Sequence, residues 1–199
     1  MMKILSVTAA TVAALASPAF AAAPVPKGFL LYEKDAAKKD ANPETSWAVS
    51  AKVTAKLVVN PCDRAALGRA GRTAAKTITY TAVPDYSKSE QIILFTGDEA
   101  AARAFADLKA AVRKCSKPDY RYATRAVALG DEGQAITGQS YQGGKPAIGG
   151  ERAIVVRRAN ALVVYTQAGE WGKPAAADFA RQTKDATRML AKICTVAAC

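Results

Sequence analysis

The N-terminal segment constrains this chain most, because it sets the compartment in which the cysteines meet. Met1-Met2-Lys3 gives a positive start, residues 4–16 form an uncharged apolar run, and Ala19-Phe20-Ala21 ends in a small-x-small pattern. This is the pattern of a secretory signal peptide over residues 1–21, with cleavage expected after Ala21. The run is shorter than a transmembrane helix requires. We therefore expect a secreted protein with no transmembrane span in its mature chain.

All four cysteines follow this segment, where an oxidising environment favours disulfides. Four cysteines allow three pairings. We favour Cys62 with Cys115 and Cys194 with Cys199, the first of which would tie a turn after a strand to the end of a helix. Chain-entropy arithmetic gives a stabilisation of about 4 kcal/mol for the first bond and about 2 kcal/mol for the second. Neither pair has the Cys-x-x-Cys spacing that is typical of redox or metal sites.

Composition narrows the function. The chain has 28 basic and 17 acidic residues and no histidine. Because Lys3 is the one charge in residues 1–21, the mature part has 27 basic residues against 17 acidic ones. Such a positive net charge favours anionic polymers or anionic lipid surfaces as partners. Without histidine, hydrolases with a histidine base are excluded, and the commonest metal ligand is missing. We expect no enzyme, no cofactor and no metal, although a hydrolase built on lysine or carboxylates stays open.

Hydrophobic periodicity predicts a sheet with helices. Residues 22–46, rich in Ala, Pro, Lys and Asp, are predicted to be a lead-in whose residues 29–32 are apolar enough to dock, and residues 47–199 a single domain. Alternation of apolar residues predicts a strand at 47–59 with one buried face. Further strands, with turns at 84–87, 130–133 and 143–150, are predicted at residues 76–83, 91–96, 120–129, 134–141, 151–158 and 162–167.

Two helices complete this pattern. The first is predicted at residues 98–115, with Thr96 or Asp98 as its N-cap. Its apolar stripe ends at Cys115, and Pro118 stops the helix. A second helix starts near Pro174 and ends at Cys194, with its stripe at Phe179, Thr183, Ala186, Leu190 and Ile193. The fold class is therefore expected to be α+β: an antiparallel sheet, stabilised by disulfides, with two main helices packed on one face.

Candidate ligand contacts come from charge and from tryptophan. If Cys62 is bonded to Cys115, then Arg113, Lys114 and Lys117 lie near the basic loop that contains Arg64, Arg69 and Arg72, and together they would form one anion-binding patch. Its four arginines are the candidate ligand contacts. Trp171 lies in a glycine-bounded loop and could stack on a ligand. Nucleic-acid binding is disfavoured, because aromatic residues are not interleaved with these charges. The adjacent Asp131 and Glu132 are expected to bond locally in a turn.

Five short segments occur in an order that resembles the PknH-like extracellular sensor domains of actinobacteria. They are the turn Asn60-Pro61-Cys62, the helix 98–115 ending in cysteine, Leu129-Gly130-Asp131-Glu132, the hairpin 155–162 and the closing helix ending at Cys194. The resemblance covers residues 47–199. It implies a mixed sheet-and-helix domain with two disulfides and a cleft for an unidentified ligand. The kinase and the membrane span of the receptor forms are missing here, so any signalling would need a membrane partner protein.

The leading hypothesis is an exported, non-enzymatic ligand-binding domain of sensor type in the cell envelope. Its ligand, a small molecule or an anionic envelope component, would lie between sheet and loops. The alternative is a basic structural or interaction protein that binds anionic envelope polymers or lipids through its surface charge.

Overall fold

The computed structural model describes residues 24–38, 41–62 and 64–199, so the predicted signal peptide lies outside the described residues. The strands are β1 Thr45–Ser50, β2 Arg72–Ala82, β3 Tyr86–Phe95, β4 Tyr120–Ala126, β5 Glu132–Gln142, β6 Lys145–Arg158 and β7 Ala161–Gly169. The helices are α1 Glu33–Ala36, α2 Asp98–Lys114 and α3 Ala180–Ile193, the last preceded by a 3₁₀ turn, Ala176–Phe179. The seven strands of these described ranges form one antiparallel sheet in the order β1-β2-β3-β7-β6-β5-β4. The α+β class is confirmed.

The two main helices pack on opposite faces of the sheet. Successive side chains of a strand point to opposite faces. In β3, Ile92 packs in the cluster beneath α3, and Ile93 packs in the cluster beneath α2. The expectation that both helices share one face is therefore wrong. Runs such as residues 92–95 and 153–156 are apolar on both sides, as central strands covered on both faces must be.

Helix α2 follows the predicted stripe, with Ala101, Phe105, Leu108 and Val112 buried. Its cap differs, because Gly97 occupies the N-cap position and no side chain accepts a hydrogen bond there. The stripe of α3 is more polar than predicted: Gln182, Asp185 and Met189 are buried together with Ala186 and Ile193. Helical structure there begins at Ala176 and not at Pro174.

Residues 24–37, here called the N-terminal strap, lie against the face of the sheet that α3 covers. Val25, Leu30 and Tyr32 are buried in that cluster. The carboxylate of Glu90, in the middle of β3 and fully buried, accepts hydrogen bonds from the backbone N–H groups of Leu31 and Tyr32 at 2.9 and 2.8 Å. The strap is thus part of the folded unit.

Strap and sheet also meet around a lysine. The Nζ atom of Lys88 lies 5.1 Å from the ring centroids of Tyr32 and Trp47 and 5.2 Å from that of Tyr80. These rings come from the strap, from β1 and from β2, so one ammonium group connects three elements by cation–π attraction. Trp47 is half-buried in this cluster.

Strand β1 ends at Ser50, nine residues before the predicted end at Val59. Residues 51–62, here called the crossing segment, leave the sheet edge and run over the α2 face, where Leu57 and Val59 are buried. The guanidinium of Arg72 holds this route by donating hydrogen bonds to the carbonyls of Val53 and Ala55. The apolar residues Leu57 and Val59 are therefore buried because the segment crosses over the sheet, and not because it pairs as a strand.

The cysteines lie in two pairs at disulfide distance. The Cα atoms of Cys62 and Cys115 are 5.5 Å apart, and those of Cys194 and Cys199 are 5.3 Å apart. The first pair joins the end of the crossing segment to the end of α2. The second closes a short turn after α3. This is the pairing that the sequence favoured.

Candidate functional site

Helix α2 covers only part of its face of the sheet, and the rest is an open cleft of about 610 Å³. Its floor is formed by β2, β3, β6 and β7, and its wall by the crossing segment and Arg64. The lining residues are Lys56, Leu57, Val58, Asn60, Arg64, Thr77, Thr79, Thr81, Asp85, Ser87, Ser89, Tyr120, Gly149, Gly150, Glu151, Thr166, Ala168 and Gly169.

Small hydroxyl side chains make up most of the floor, and they belong to three neighbouring strands. In strand pairing, Thr81 lies opposite Ser87, and Thr79 lies opposite Ser89, which is itself paired with Thr166. Because alternate residues share a face, these side chains all point into the cleft. The six residues are Thr77, Thr79, Thr81, Ser87, Ser89 and Thr166, and we call them the hydroxyl floor.

The hydroxyl floor was not singled out from the sequence, although a signal for it exists. Residues 77–81 read Thr-Ile-Thr-Tyr-Thr, with a hydroxyl at every second position. Such a face is normally solvated. That the face lines a walled cleft depends on a segment twenty residues earlier in the chain.

The wall is attached to the floor through the side chain of Gln91. Its Nε2 donates hydrogen bonds to the carbonyl of Lys56 at 2.9 Å and to the hydroxyl of Thr77 at 2.8 Å. Its Oε1 accepts from the backbone N–H of Val58 at 3.2 Å. Together with the Cys62–Cys115 bond, these contacts fix both ends of the wall, so the cleft is a preformed feature.

Glu151 is a buried carboxyl group in the lining of the cleft. It is 3% exposed, and its Oε2 accepts a hydrogen bond from the backbone N–H of Asn60 at 3.2 Å. Burial raises the pKa of Glu151 to about 7, and this hydrogen bond and the positive charge of Arg64 offset only part of the effect. Sequence reasoning missed this residue, because it reads as a polar start to a predicted strand.

Two tyrosines of the edge strand β4 flank this carboxylate. The Tyr122 hydroxyl donates a hydrogen bond to the carbonyl of Asn60, and the rings of Tyr120 and Tyr122 meet edge to face at 5.2 Å. Burial and the negative charge of Glu151 raise the pKa of Tyr120 to about 12. The same two causes raise the pKa of Tyr122. Both hydroxyls therefore stay protonated, and Tyr122 uses its proton in the hydrogen bond to Asn60.

Behind the floor, on the face of the sheet that α3 covers, lies a buried arginine. Arg152 is fully buried below the floor and forms an ion pair with Asp178 at 3.0 Å. It also donates hydrogen bonds to Gly138 O and to Gln139 Oε1, each at 2.9 Å. Its guanidinium lies 5.0 Å from the ring of Trp171. This network fixes the loop after β7 against the β5–β6 hairpin.

Of the five predicted ligand contacts, Arg64 lines the cleft. Arg69 borders a separate hollow of about 120 Å³ beside α2. The guanidinium of Arg72 is engaged by backbone carbonyls. Arg113 is exposed on the last turn of α2, and Trp171 packs on Arg152. The structure therefore does not bring these five residues together.

The paired carboxylates Asp131 and Glu132 lie away from the cleft and pair with arginines of the neighbouring strand β6, whereas bonding within their own turn was expected. Asp131 forms an ion pair with Arg158 at 2.7 Å, and Glu132 forms one with Arg157 at 2.9 Å. Within the described ranges, no group of three or more His, Cys, Asp or Glu side chains could hold a metal ion. No helix among the described residues is long and apolar enough to cross a membrane.

Comparison with known proteins shows a shared fold. The crystal structure of the extracellular domain of PknH from Mycobacterium tuberculosis matches this chain with a TM-score of 0.53 and 11% sequence identity. The match covers 85% of this chain and 98% of that domain. No protein-family model matches the sequence. No curated protein is similar to it in sequence. The predicted PknH-like arrangement is thus supported at the level of the fold.

Proposed function

We propose that this protein is an exported, non-enzymatic binding domain of sensor type, and that it takes a small polar ligand in the cleft. The observation that carries the proposal is the cleft itself. Its wall is fixed by the Cys62–Cys115 bond and by Gln91, and its floor presents polar side chains to the interior. Preformed concave sites with a few convergent polar groups are the usual form of ligand sites. The fold shared with an extracellular domain supports an exported location.

A sensor role fits this geometry better than catalysis. Glu151 could exchange protons near neutral pH, but acid–base hydrolysis of glycosidic bonds needs a second carboxylate that faces the first across the substrate. The other carboxylate of the cleft, Asp85, is exposed in the turn between β2 and β3. The domain would then report ligand binding through a membrane partner protein.

The test is a binding screen with a blocked cleft. Thr81→Trp places a large ring over the floor at an exposed position. Thr124→Trp is a matched control, because Thr124 is exposed on strand β4 and does not line the cleft. Mature protein is screened by thermal shift against envelope glycans, anionic lipids and small metabolites. We expect a shift with one class that the control retains and Thr81→Trp loses. Ligands that shift both variants equally would rule out the cleft as the site.

A second function is favoured by charge: attachment to anionic envelope polymers or lipids. The chain has a formal net charge of +11, and Arg113, Lys114 and Lys117 are exposed together at the end of α2. Retention on anionic vesicles that disappears at moderate salt would support it, since salt screens exposed charges. Substituting these three residues by glutamine would then weaken retention without affecting the cleft.

Export is tested on the secreted protein itself. Intact-mass analysis is expected to find a mature chain that begins after Ala21 and has no free thiol. An uncleaved leader or reduced cysteines would contradict the exported location.

A further inference from the structure

We infer that the ligand of the cleft is a neutral, hydroxyl-rich molecule of the carbohydrate class. This inference rests on the proposed function and names its ligand chemistry. It depends on three observations: the chemistry of the floor, the charge balance of the lining, and the unfilled hydrogen-bonding capacity of Glu151.

The hydroxyl floor suits a ligand that both donates and accepts hydrogen bonds. Each Ser or Thr hydroxyl has one donor and two acceptor sites. The Thr79 and Ser89 hydroxyls lie 2.9 Å apart, so this pair uses one donor and leaves one donor free for a ligand. Neighbouring strands lie ~4.8 Å apart and alternate residues ~6.8 Å apart, so the floor is a regular two-dimensional array. A chain of sugar hydroxyls, with the same dual capacity, matches such an array.

The charges of the lining cancel when Glu151 is ionised. Lys56 and Arg64 contribute two positive side chains, and Asp85 and Glu151 contribute two carboxyl groups. The chain as a whole has a formal net charge of +11, so this balance sets the cleft apart from the rest of the surface. An anionic ligand would meet two carboxyl groups, and a cationic ligand would meet two basic side chains. A neutral ligand meets no such opposition.

Glu151 still has acceptor sites to fill. An ionised carboxylate has about four lone-pair sites. Among the described residues, the one donor that reaches the Glu151 carboxylate is the backbone N–H of Asn60. A buried charge with so few hydrogen bonds is unfavourable. Ligand hydroxyls that reach its free oxygen would supply the missing donors, so Glu151 is expected to orient the ligand at one end of the floor.

The experiment uses the mature protein and three sets of immobilised probes: neutral oligosaccharides of glucose, mannose and arabinose, their sulfated forms, and amino sugars. The floor is altered by the double substitution Thr79→Val and Ser89→Ala, which removes a bonded pair of hydroxyls together and so leaves neither partner unsatisfied. Thr124→Val is the control, because it removes an exposed strand hydroxyl outside the cleft. Circular dichroism verifies that each variant is folded.

We expect neutral oligosaccharides to bind, with an affinity that moderate salt leaves unchanged and that the double substitution lowers at least about tenfold. The control should bind like the wild type. Preferential binding of sulfated or amino sugars, blocked by Thr81→Trp, would overturn the inference and leave the proposed function intact. The same holds if only a non-carbohydrate ligand is blocked by Thr81→Trp. If no ligand of any class is blocked by that substitution, the proposed function fails as well.

Discussion

Substituting Glu151 by glutamine should remove a pH-dependent instability that the cleft builds into the fold. In the folded protein, burial raises the pKa of this carboxyl from 4.5 to about 7. The folded state therefore binds this proton more tightly than the unfolded state does. By linkage, the stabilising effect is fully present below pH 4.5 and is lost as the pH rises through about 7.

The size of the effect follows from that interval. At about 1.4 kcal/mol per pH unit, the interval from 4.5 to about 7 corresponds to about 3 kcal/mol of unfolding free energy. Glutamine has nearly the same shape and can still accept the Asn60 N–H through its amide oxygen, but it does not ionise. We expect the Glu151→Gln variant to match the wild type below pH 4.5 and to exceed it by up to about 3 kcal/mol above pH 7.

Urea denaturation across this pH range measures the prediction, with the wild type subtracted from the variant at each pH. Subtraction removes the contributions of all other titrating groups, including Glu90. Glu99→Gln is the control, because it removes a carboxylate that is 90% exposed and stays in water on folding. A flat difference curve for Glu151→Gln would refute the reasoning, because it would mean that folding does not desolvate this carboxyl.

Three further predictions concern the scaffold. Arg152→Met should lower the unfolding free energy by about 3–5 kcal/mol, because it leaves the partly buried Asp178 unpaired; a loss below about 1 kcal/mol would contradict this role. Lys88→Met should cost about 1–2 kcal/mol by removing three cation–π contacts, with Lys88→Arg as the control that keeps the charge. Replacing Cys62 and Cys115 together by alanine should cost about 4 kcal/mol in chemical denaturation, and an unchanged midpoint would mean that the bond does not form.

Local sequence patterns predicted a helix well where the burial of one regularly spaced apolar stripe determines it. The stripe of α2 could be identified because its buried residues are apolar and regularly spaced. In α3 the same logic failed, because buried positions are occupied by Gln182 and Asp185. Their partners come from distant parts of the chain: Tyr32 donates a hydrogen bond to Asp185 at 2.9 Å, and Gln182 bonds with Gln167. No local pattern contains that information.

The candidate site was less predictable, for a related reason. The floor and Glu151 are polar, and polar residues on a strand normally face water. They line a walled cleft only because the crossing segment leaves the sheet edge and lies over them. For the basic residues, the sequence overstated the number of ligand contacts. Arg64 and Arg72 are equivalent in the sequence, but the guanidinium of Arg72 donates hydrogen bonds to backbone carbonyls, while Arg64 lines the cleft.

The placement of the helices on opposite faces has a practical consequence for handling the protein. The N-terminal strap and the residues after α3, including the buried Ala197, pack in the cluster on the face opposite the cleft. A biotin or fluorescent label attached at the C-terminus would therefore sit behind the sheet. Sensor-chip immobilisation through that end should leave the binding mouth facing the flowing analyte.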